Sequence, residues 1–502
     1  MTRTETINPK TSLTNRILRF GKKTILHEKL NNWVGYTLVF SLAIFIGYLM
    51  AFKPILGLGF TGLSFGFAIV LVCILNAEAG LYINMIYSFL ISHFNRLLFD
   101  DTLQVGVISD ILVGATFLGF LVRNINLKNS FSQFTQTPVV VLLLLVYSYT
   151  AIEVFNPNGS SLTGWFPAFR KILSTLLLLF ISFNVLTNRE RIIRFIRVLF
   201  FLCLTTAIYA CIQQWHGFFQ FELNWLQADE KRFRMTYVNG GARKMSFMPD
   251  ALSLSIIMAI CSVFFIGIAT SLKKYSEKLI VYFGVLLMIL AMSYSLTRTA
   301  NVMFIGGLAL FILITLDKKK TRIFAVLAVI FFILILYGPY NNSQIGQFRQ
   351  TFKGGTKDAS YKVREDNRKA IQPYIYSHPM GGGLSTTGGE GLIYNPGHRL
   401  AGFPPDSGYL KKALELGWIG LILFLFLYFT VLKTGIHGYF TSKNEEIKIL
   451  FASSTATCFS LYIGDFSQVA IGQITDIVVY YPLIALLLKL RTINQSLNTL
   501  KL

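Results

Sequence analysis

The side chains best suited to chemistry in this sequence are cations in two segments that separate long apolar stretches. The segments are residues 215–249 and 340–410, and Arg298 occupies a tight turn between two further apolar stretches. Guanidinium and ammonium groups bind phosphate oxygens by charge-assisted hydrogen bonds. The pattern indicates a cationic chamber for an anionic lipid headgroup such as a diphosphate, with ordinary solvated charge as the alternative. These cations are Lys231, Arg232, Arg234, Arg243, Lys244, Arg349, Lys353, Lys357, Lys362, Arg364, Arg368, Lys369 and Arg399.

Other kinds of site find no support in the sequence. The acidic residues of 340–410 are dispersed without the DxD or HxxxH spacing of a metal site. Gly381–Gly383 follows no predicted strand and opens no long helix, which argues against a phosphate-binding loop of an NTPase. The five cysteines fall within apolar stretches and favour packing roles over disulfides or metal ligation. We therefore expect neither a metal nor a cofactor.

The elements that must position these cations are membrane-spanning helices. Apolar residues make up 53% of the 502 and charged residues only 14%, which is too apolar for a soluble chain. A helix of about 20 apolar residues crosses a bilayer core. The sequence predicts an all-α integral membrane protein with about fourteen transmembrane helices. The spans lie near 33–52, 57–76, 81–99, 103–122, 138–155, 172–186, 197–214, 250–271, 279–297, 300–316, 323–339, 411–432, 448–466 and 474–490.

Short basic connectors at every second loop predict the orientation, because such connectors face the cytoplasm. The net charge of +22 is then mainly a topology signal, not an indication of nucleic-acid binding. Within 340–410, the stretch 361–377 is expected to be helical until Pro373 interrupts it. The predicted parts are a cytoplasmic segment 1–31, spans one to eleven within 32–339, a large extracytoplasmic loop 340–410 before the twelfth span, spans twelve to fourteen within 411–490, and a cytoplasmic tail 491–502.

Four motifs in the second half of the chain resemble one known family in type and order. SLTRTA places Arg298 at an outer helix end, and Arg364 precedes a Pro-and-Gly turn at Pro379. PPDSGYLKKALELGWIG leads out of the loop with Ser407, Gly417 and Gly420 in the family's spacing, and ARKMSFMPDALS leads into an earlier span. From about residue 240 to 432, the sequence resembles the O-antigen ligase and O-antigen polymerase superfamily.

The resemblance implies a glycosyltransferase in the bacterial inner membrane that uses no metal or nucleotide sugar. Its donor would be an undecaprenyl-diphosphate-linked oligosaccharide, and its acceptor a glycan or a lipid-anchored hydroxyl among the membrane lipids. Fixed cations around the leaving diphosphate would contribute to catalysis, and we expect Arg298 and Arg364 to do this. The arginines expected to bind diphosphate or glycan are Arg170, placed just outside span six, Arg243, Arg368 and Arg399.

The residue that would accept the acceptor's proton departs from the family, which carries His where this chain has Asp406. A carboxylate can act as a base when burial raises its pKa, or it can orient the acceptor hydroxyl. Alternatively, Asp406 and Ser407 only cap the following helix. His398 is a substitute base, with a solvated loop histidine as the alternative. The exchange of His for Asp favours a polymerase or an exopolysaccharide variant over a ligase.

A multi-pass transporter without transfer chemistry is the alternative from another class. Transporters carry ionisable residues at mid-membrane and repeated halves with broken helices. Asp110 lies near the middle of span four and Glu415 inside the outer end of span twelve, yet the sequence shows no internal repeat. A single mid-span carboxylate is more often a structural partner than a proton relay.

Overall fold

The computed structural model describes residues 33–124, 127–159, 161–238, 241–339, 342–353 and 359–499. The predicted segment 1–31 and Lys357 lie outside these residues. The chain divides into two compact units. One contains the described residues up to Ile83 together with Ile111–Ser132, and the other contains Asn84–Asp110 and the described residues from Gln133 onward.

The described chain is helical apart from its connections and one hairpin. In the hairpin, β1 (Tyr237–Val238) pairs antiparallel with β2 (Gly241–Ala242). The helices are α1 (Trp33–Phe52), α2 (Pro54–Leu75), α3 (Ala77–Phe99), α4 (Val105–Arg123), α5 (Leu127–Thr135), α6 (Pro138–Ile152), α7 (Leu162–Val185), α8 (Arg189–Trp215), α9 (Gln220–Gln227), α10 (Glu230–Thr236), α11 (Ala251–Ser271), α12 (Tyr275–Tyr294), α13 (Arg298–Ile314), α14 (Lys319–Tyr337), α15 (Ser343–Lys353), α16 (Ala359–Ser377), α17 (Gly388–Tyr394), α18 (Gly408–Glu415), α19 (Gly417–Thr441), α20 (Glu445–Ser467) and α21 (Ile474–Thr499).

Ten helices among the described residues are long and apolar enough to cross a membrane. They correspond to α1, α4, α6 with the 3-10 turn Glu153–Phe155 that follows it, α7, α8, α11, α12, α14, α19 and α20, and shorter apolar helices occur in α2 and α13. An all-α multi-pass membrane protein is therefore confirmed, while the count of fourteen spans and the sides on which the loops lie stay predictions. The last helix continues beyond residue 490 to Thr499, into the predicted tail.

Helices α11 and α20 form the centre of the larger unit. Residues 253–269 of α11 are all buried, and so are most residues from Ile449 to Asp465 of α20. Small residues let the helices approach closely, as in other membrane bundles. A Cβ at Gly307 of α13, for example, would lie 2.9 Å from the Ser460 Cβ of α20. Helix α20 is thus a rigid axis whose C-terminal end, at Ser467, is held in place.

The prediction that Pro373 interrupts the loop helix was wrong. Helix α16 runs through Pro373 to Ser377. Proline removes only one intrahelical hydrogen bond, and Pro373 faces solvent, where water can satisfy the carbonyl that loses its donor. On the opposite side, Ile371 and Tyr374 are buried against Leu400 and Leu414. This packing keeps the helix continuous.

The predicted twelfth span is broken near its start. Helix α18 ends at Glu415, and α19 begins at Gly417, whose φ of +68° lies in the left-handed region that favours glycine. A Cβ at residue 417 would overlap the backbone carbonyl of Pro379. The break lets Gly382 and Gly383 donate to the carbonyls of Leu414 and Glu415 at 2.8 and 2.9 Å.

Replacing Gly417 by Ala is expected to destabilise the protein, by roughly 1–2 kcal/mol for the left-handed backbone alone and by more because of the overlap with Pro379. Thermal unfolding of the purified protein in detergent measures the effect. Gly389→Ala is the matched control, because a Cβ there meets nothing within 4 Å. Equal unfolding temperatures for the two variants would show that the break does not depend on glycine.

Candidate active site

Two of the expected arginines lie one turn apart on α16 and hold the C-terminal end of α20. Arg364 Nη1 donates to the Ser467 carbonyl at 3.2 Å, and Arg368 Nη2 donates to the Phe466 carbonyl at 3.3 Å. The Arg368 guanidinium also lies 5.1 Å from the centroid of the Phe466 ring. The last carbonyls of a helix lack intrahelical donors and carry partial negative charge, which attracts cations. The end of α20 therefore fixes both side chains.

Asp406 lies against the same face of α16. Asn367 and Arg368 follow Arg364 by three and four residues, the spacing that shares a helix face. The Nδ2 of Asn367 makes a long 3.5 Å contact with Asp406 Oδ2. The side chain that caps α18 is that of Ser407, whose Oγ accepts from the Leu410 N–H at 3.4 Å and donates to the Asp465 carbonyl at 3.1 Å. The half-buried carboxylate of Asp406 is thus placed beside the arginines.

Arg298 begins α13 beside the same end of α20, since the residue after it contacts Ser467. It is the first residue of that helix and follows Leu296, whose φ is +51°. Its Nη2 donates to Gln350 Oε1 at 3.2 Å on α15. The next residue, Thr299, accepts from Ser467 Oγ at 3.1 Å, and Ser467 is also the residue that Arg364 binds. We call Arg298, Arg364, Arg368 and Asp406 the arginine cluster.

Arg243 binds the turn that precedes Arg298. Its Nε donates to the Ser295 carbonyl at 3.1 Å, its Nη2 to Thr297 Oγ1 at 2.9 Å and its Nη1 to the Met235 carbonyl at 3.5 Å. Burial lowers the pKa of Arg243. In this arrangement its donors hold the strained turn that leads into Arg298, so the side chain is placed to position Arg298.

Two further expected arginines have other partners. Helix α7 begins at Leu162, where Ser161 caps it, ten residues before the predicted start of span six. Arg170 therefore lies within this helix, and its placement outside the membrane stays a prediction. It pairs with Asp110 at 3.1 Å, which gives that mid-span carboxylate a structural partner. Arg399 is exposed and lies 5.7 Å from the centroid of the Tyr374 ring.

His398 has both ring nitrogens engaged. Its Nδ1 accepts from the Leu400 N–H at 3.1 Å, so the proton of the neutral ring is on Nε2, which donates to the Asn158 carbonyl at 3.0 Å. Burial lowers the pKa of His398, and the Asn158 carbonyl opposes the change. This arrangement holds the loop and leaves no lone pair for a substrate proton.

A cavity of about 210 Å³ opens beside Gly408, two residues after Asp406. Three lysines line it, Lys171, Lys411 and Lys412, together with Glu390, Glu415 and several tyrosines. Lys411 pairs with Glu390 at 2.8 Å and lies 3.9 Å from Glu415, which accepts from Thr387 Oγ1 at 2.5 Å. Burial raises the pKa of Glu415, and the lysine at 411 and the Thr387 hydroxyl oppose the change. The cavity therefore offers cations, carboxylates and hydroxyls in a partly apolar wall.

Most of these cavity residues carry no functional signal in the sequence. Only Glu415 stood out, as a carboxylate at a span end. Lys411 and Glu415 have the spacing of a helical ion pair, which is a usable local signal. Glu390 and Asp465, by contrast, lie 21 and 53 residues from their lysine partners in the chain.

Lys412 and Asp465 form a buried ion pair that joins α18 to α20. The Nζ to Oδ2 distance is 2.5 Å, and the Asp465 side chain has no solvent exposure. Tyr428 OH and the Ala470 N–H also donate to this carboxylate, at 3.2 Å each. The pair anchors the residues that follow Asp406.

Lys412→Met is expected to destabilise the protein by about 3–5 kcal/mol, because it leaves the Asp465 charge buried without its cation. Thermal unfolding in detergent checks this. The double replacement Lys412→Met with Asp465→Asn removes both charges but keeps an acceptor for Tyr428, and should recover most of the loss. If the single and double variants unfold at the same temperature, the ion pair is not what holds α18.

Among the residues that the structure describes, no three His, Cys, Asp or Glu side chains come together in a way that could hold a metal ion. Comparison with known families matches residues 283–425 to a family described as O-Antigen ligase. The matched region contains all four residues of the arginine cluster and ends within α19. No curated protein matches the chain.

Proposed function

The match over residues 283–425 supports membership of the O-antigen ligase superfamily, and from that premise we propose that this protein transfers a glycan from a lipid diphosphate to an acceptor hydroxyl. The family and the apolar helices support a multi-pass membrane protein of ligase or polymerase type. The donor is an undecaprenyl-diphosphate-linked oligosaccharide, and the arginine cluster faces the outside of a bacterial inner membrane. The observation that carries this proposal is the gathering of Arg298, Arg364, Arg368 and Asp406 around the end of α20.

The arginines act on the leaving group. As the bond between the sugar's anomeric carbon and the diphosphate oxygen breaks, negative charge grows on the diphosphate. Guanidinium groups already fixed in place stabilise that charge without reorganising, which lowers the barrier more than it favours substrate binding. The bonds from Arg364 and Arg368 to α20 engage one nitrogen of each group, and a guanidinium has further donors with which to bind a phosphate.

Asp406 acts on the acceptor. Its carboxylate accepts the proton of the acceptor hydroxyl while that oxygen attacks the anomeric carbon, and the carrier diphosphate leaves onto the arginines. Asn367 holds the carboxylate near α16. The proposal assigns no step to Arg170, Arg243, Arg399 or His398, so their expected roles, binding for the arginines and proton acceptance for His398, stay predictions. The reaction is expected to proceed without a metal ion, and a chelator in the transfer assay tests this.

Purified protein in lipid vesicles, supplied with undecaprenyl-diphosphate oligosaccharide and a chelator, should release the carrier diphosphate and extend the glycan. A polymerase makes a ladder of products from the donor alone, whereas a ligase requires a separate lipid-anchored acceptor. Orientation is tested with Gly389→Cys on the exposed α17, since the native cysteines are buried. Labelling of Cys at 389 only after the cells are opened would contradict the proposal.

A further inference from the structure

A second and larger cavity lies at the opposite end of the bundle, which we call the inner end. It encloses about 860 Å³ between α8, α11, α12, α20 and α21. Helix α20 runs from Glu445, which lines this cavity, to Ser467, which binds Arg364. Its 23 residues at about 1.5 Å each separate the two ends by roughly 33 Å, close to the thickness of a bilayer core. The inner cavity is therefore separate from the arginine cluster.

The wall of the inner cavity is apolar on several sides. Ile192, Ile193, Ile196 and Phe200 of α8 face Phe265 and Ile268 of α11, and α12 and α20 contribute further aliphatic side chains. A free phosphate or a nucleotide would leave such a wall without a partner. Acyl chains would cover it and gain the free energy of removing apolar surface from water.

The rim of the inner cavity is cationic. The lining contains more cations than carboxylates, five against three. The cations are Arg189, Arg197, Lys273, Lys274 and Lys318. Arg189 pairs with Glu446 at 3.0 Å, Lys318 with Glu445 at 2.6 Å and Lys274 with Glu277 at 3.7 Å. Within the described chain, the remaining two, Arg197 and Lys273, have no ion-pair or hydrogen-bond partner. They leave the mouth of an apolar cavity with uncompensated positive charge.

We propose that the inner cavity binds a phospholipid with an anionic headgroup, with an acyl chain along α8 and the phosphate at Arg197 and Lys273. Basic pockets between transmembrane helices suit such headgroups, because the lipid satisfies the apolar wall and the charged rim together. The proposal is independent of the proposed glycosyl transfer. A bound lipid would brace α8 and α12 against α11 and α20.

Native mass spectrometry of the full-length protein in detergent tests the proposal, with phosphatidylglycerol and phosphatidylcholine of the same acyl chains as probes. The protein should retain phosphatidylglycerol preferentially. Arg197→Gln with Lys273→Gln should weaken that binding roughly ten- to thirtyfold, since each basic residue contributes about 1 kcal/mol. The matched control is Lys319→Gln with Lys320→Gln, which removes the same charge from exposed residues that do not line the cavity.

A second variant tests the apolar wall. Ile193→Trp fills the cavity without changing the charge and should also weaken phosphatidylglycerol binding. If the control pair Lys319→Gln with Lys320→Gln weakens binding as much as Arg197→Gln with Lys273→Gln, the effect is one of general surface charge and the proposal is overturned. Displacement of the lipid by the same concentration of inorganic phosphate would overturn it as well, because the site would then bind phosphate and not lipid.

Discussion

Arg364→Gln is expected to lower glycan transfer by about 10²–10³-fold, while the loss of its bond to the Ser467 carbonyl lowers protein stability by about 1–3 kcal/mol. Removing one preorganised donor from a developing negative charge typically has an effect of this size. The half-buried Arg364 is anchored to the Ser467 carbonyl, so the native site holds it in place before substrate binds. The measurement is the initial rate of carrier-diphosphate release in the vesicle assay, together with polymer length in cells.

The control for Arg364 lies on the same helix. Lys369 pairs with Glu365 at 2.8 Å on the exposed side of α16, and Lys369→Gln removes the same charge there. It should leave the rate near that of the native protein. Arg364→Lys should fall in between, because an ammonium keeps the charge but loses the planar fork. A full rate for Arg364→Gln would remove this residue from the site.

Asp406→Asn is expected to lower the rate by about 10²–10⁴-fold, the usual contribution of a positioned proton acceptor. Asparagine keeps the size of the side chain and its contact with Asn367, and Ser407 still caps α18, so the fold should be retained.

Glu415→Gln tests whether Glu415, the other carboxylate nearby, accepts the proton in place of Asp406. Burial raises the pKa of Glu415, a property shared with many catalytic acids and bases. Its contacts, however, are with Thr387 and Lys411 inside the cavity. We expect Glu415→Gln to alter apparent acceptor affinity more than the maximal rate. If Glu415→Gln abolishes transfer and Asp406→Asn does not, the proton acceptor is Glu415.

Docking of loop cations onto helix ends recurs in this protein. Arg349 of α15 donates to the carbonyls of Ile335 and Gly338 at the end of α14, much as Arg364 and Arg368 bind the end of α20. The loop helices are thereby fastened to span ends by their own arginines. The arginine cluster differs from the Arg349 contact because the carboxylate of Asp406 lies beside it. A site that only binds an anion would not need this carboxylate.

The sequence by itself determined the membrane class, the approximate positions of the helices, a resemblance to the O-antigen ligase family, and three arginines and Asp406 as candidate site residues. These features are local. An apolar run, a basic connector or a short motif can be recognised within about 20 residues, because a helix is specified by residues that are close along the chain. Two local features could not be predicted in this way. The continuity of α16 through Pro373 depends on the burial of Tyr374, and the break at Gly417 depends on the close approach of Pro379.

Only the tertiary structure decided which cations lie around the end of α20 and which are engaged elsewhere. Arg364 meets Ser467 across 103 residues, Arg243 meets Thr297 across 54, and His398 meets Asn158 across 240. The same is true of the lysines and carboxylates around Lys411 and of the basic rim at the inner end. Such pairings follow from how helices pack against one another, and the spacing of residues along one helix contains no information about its neighbours.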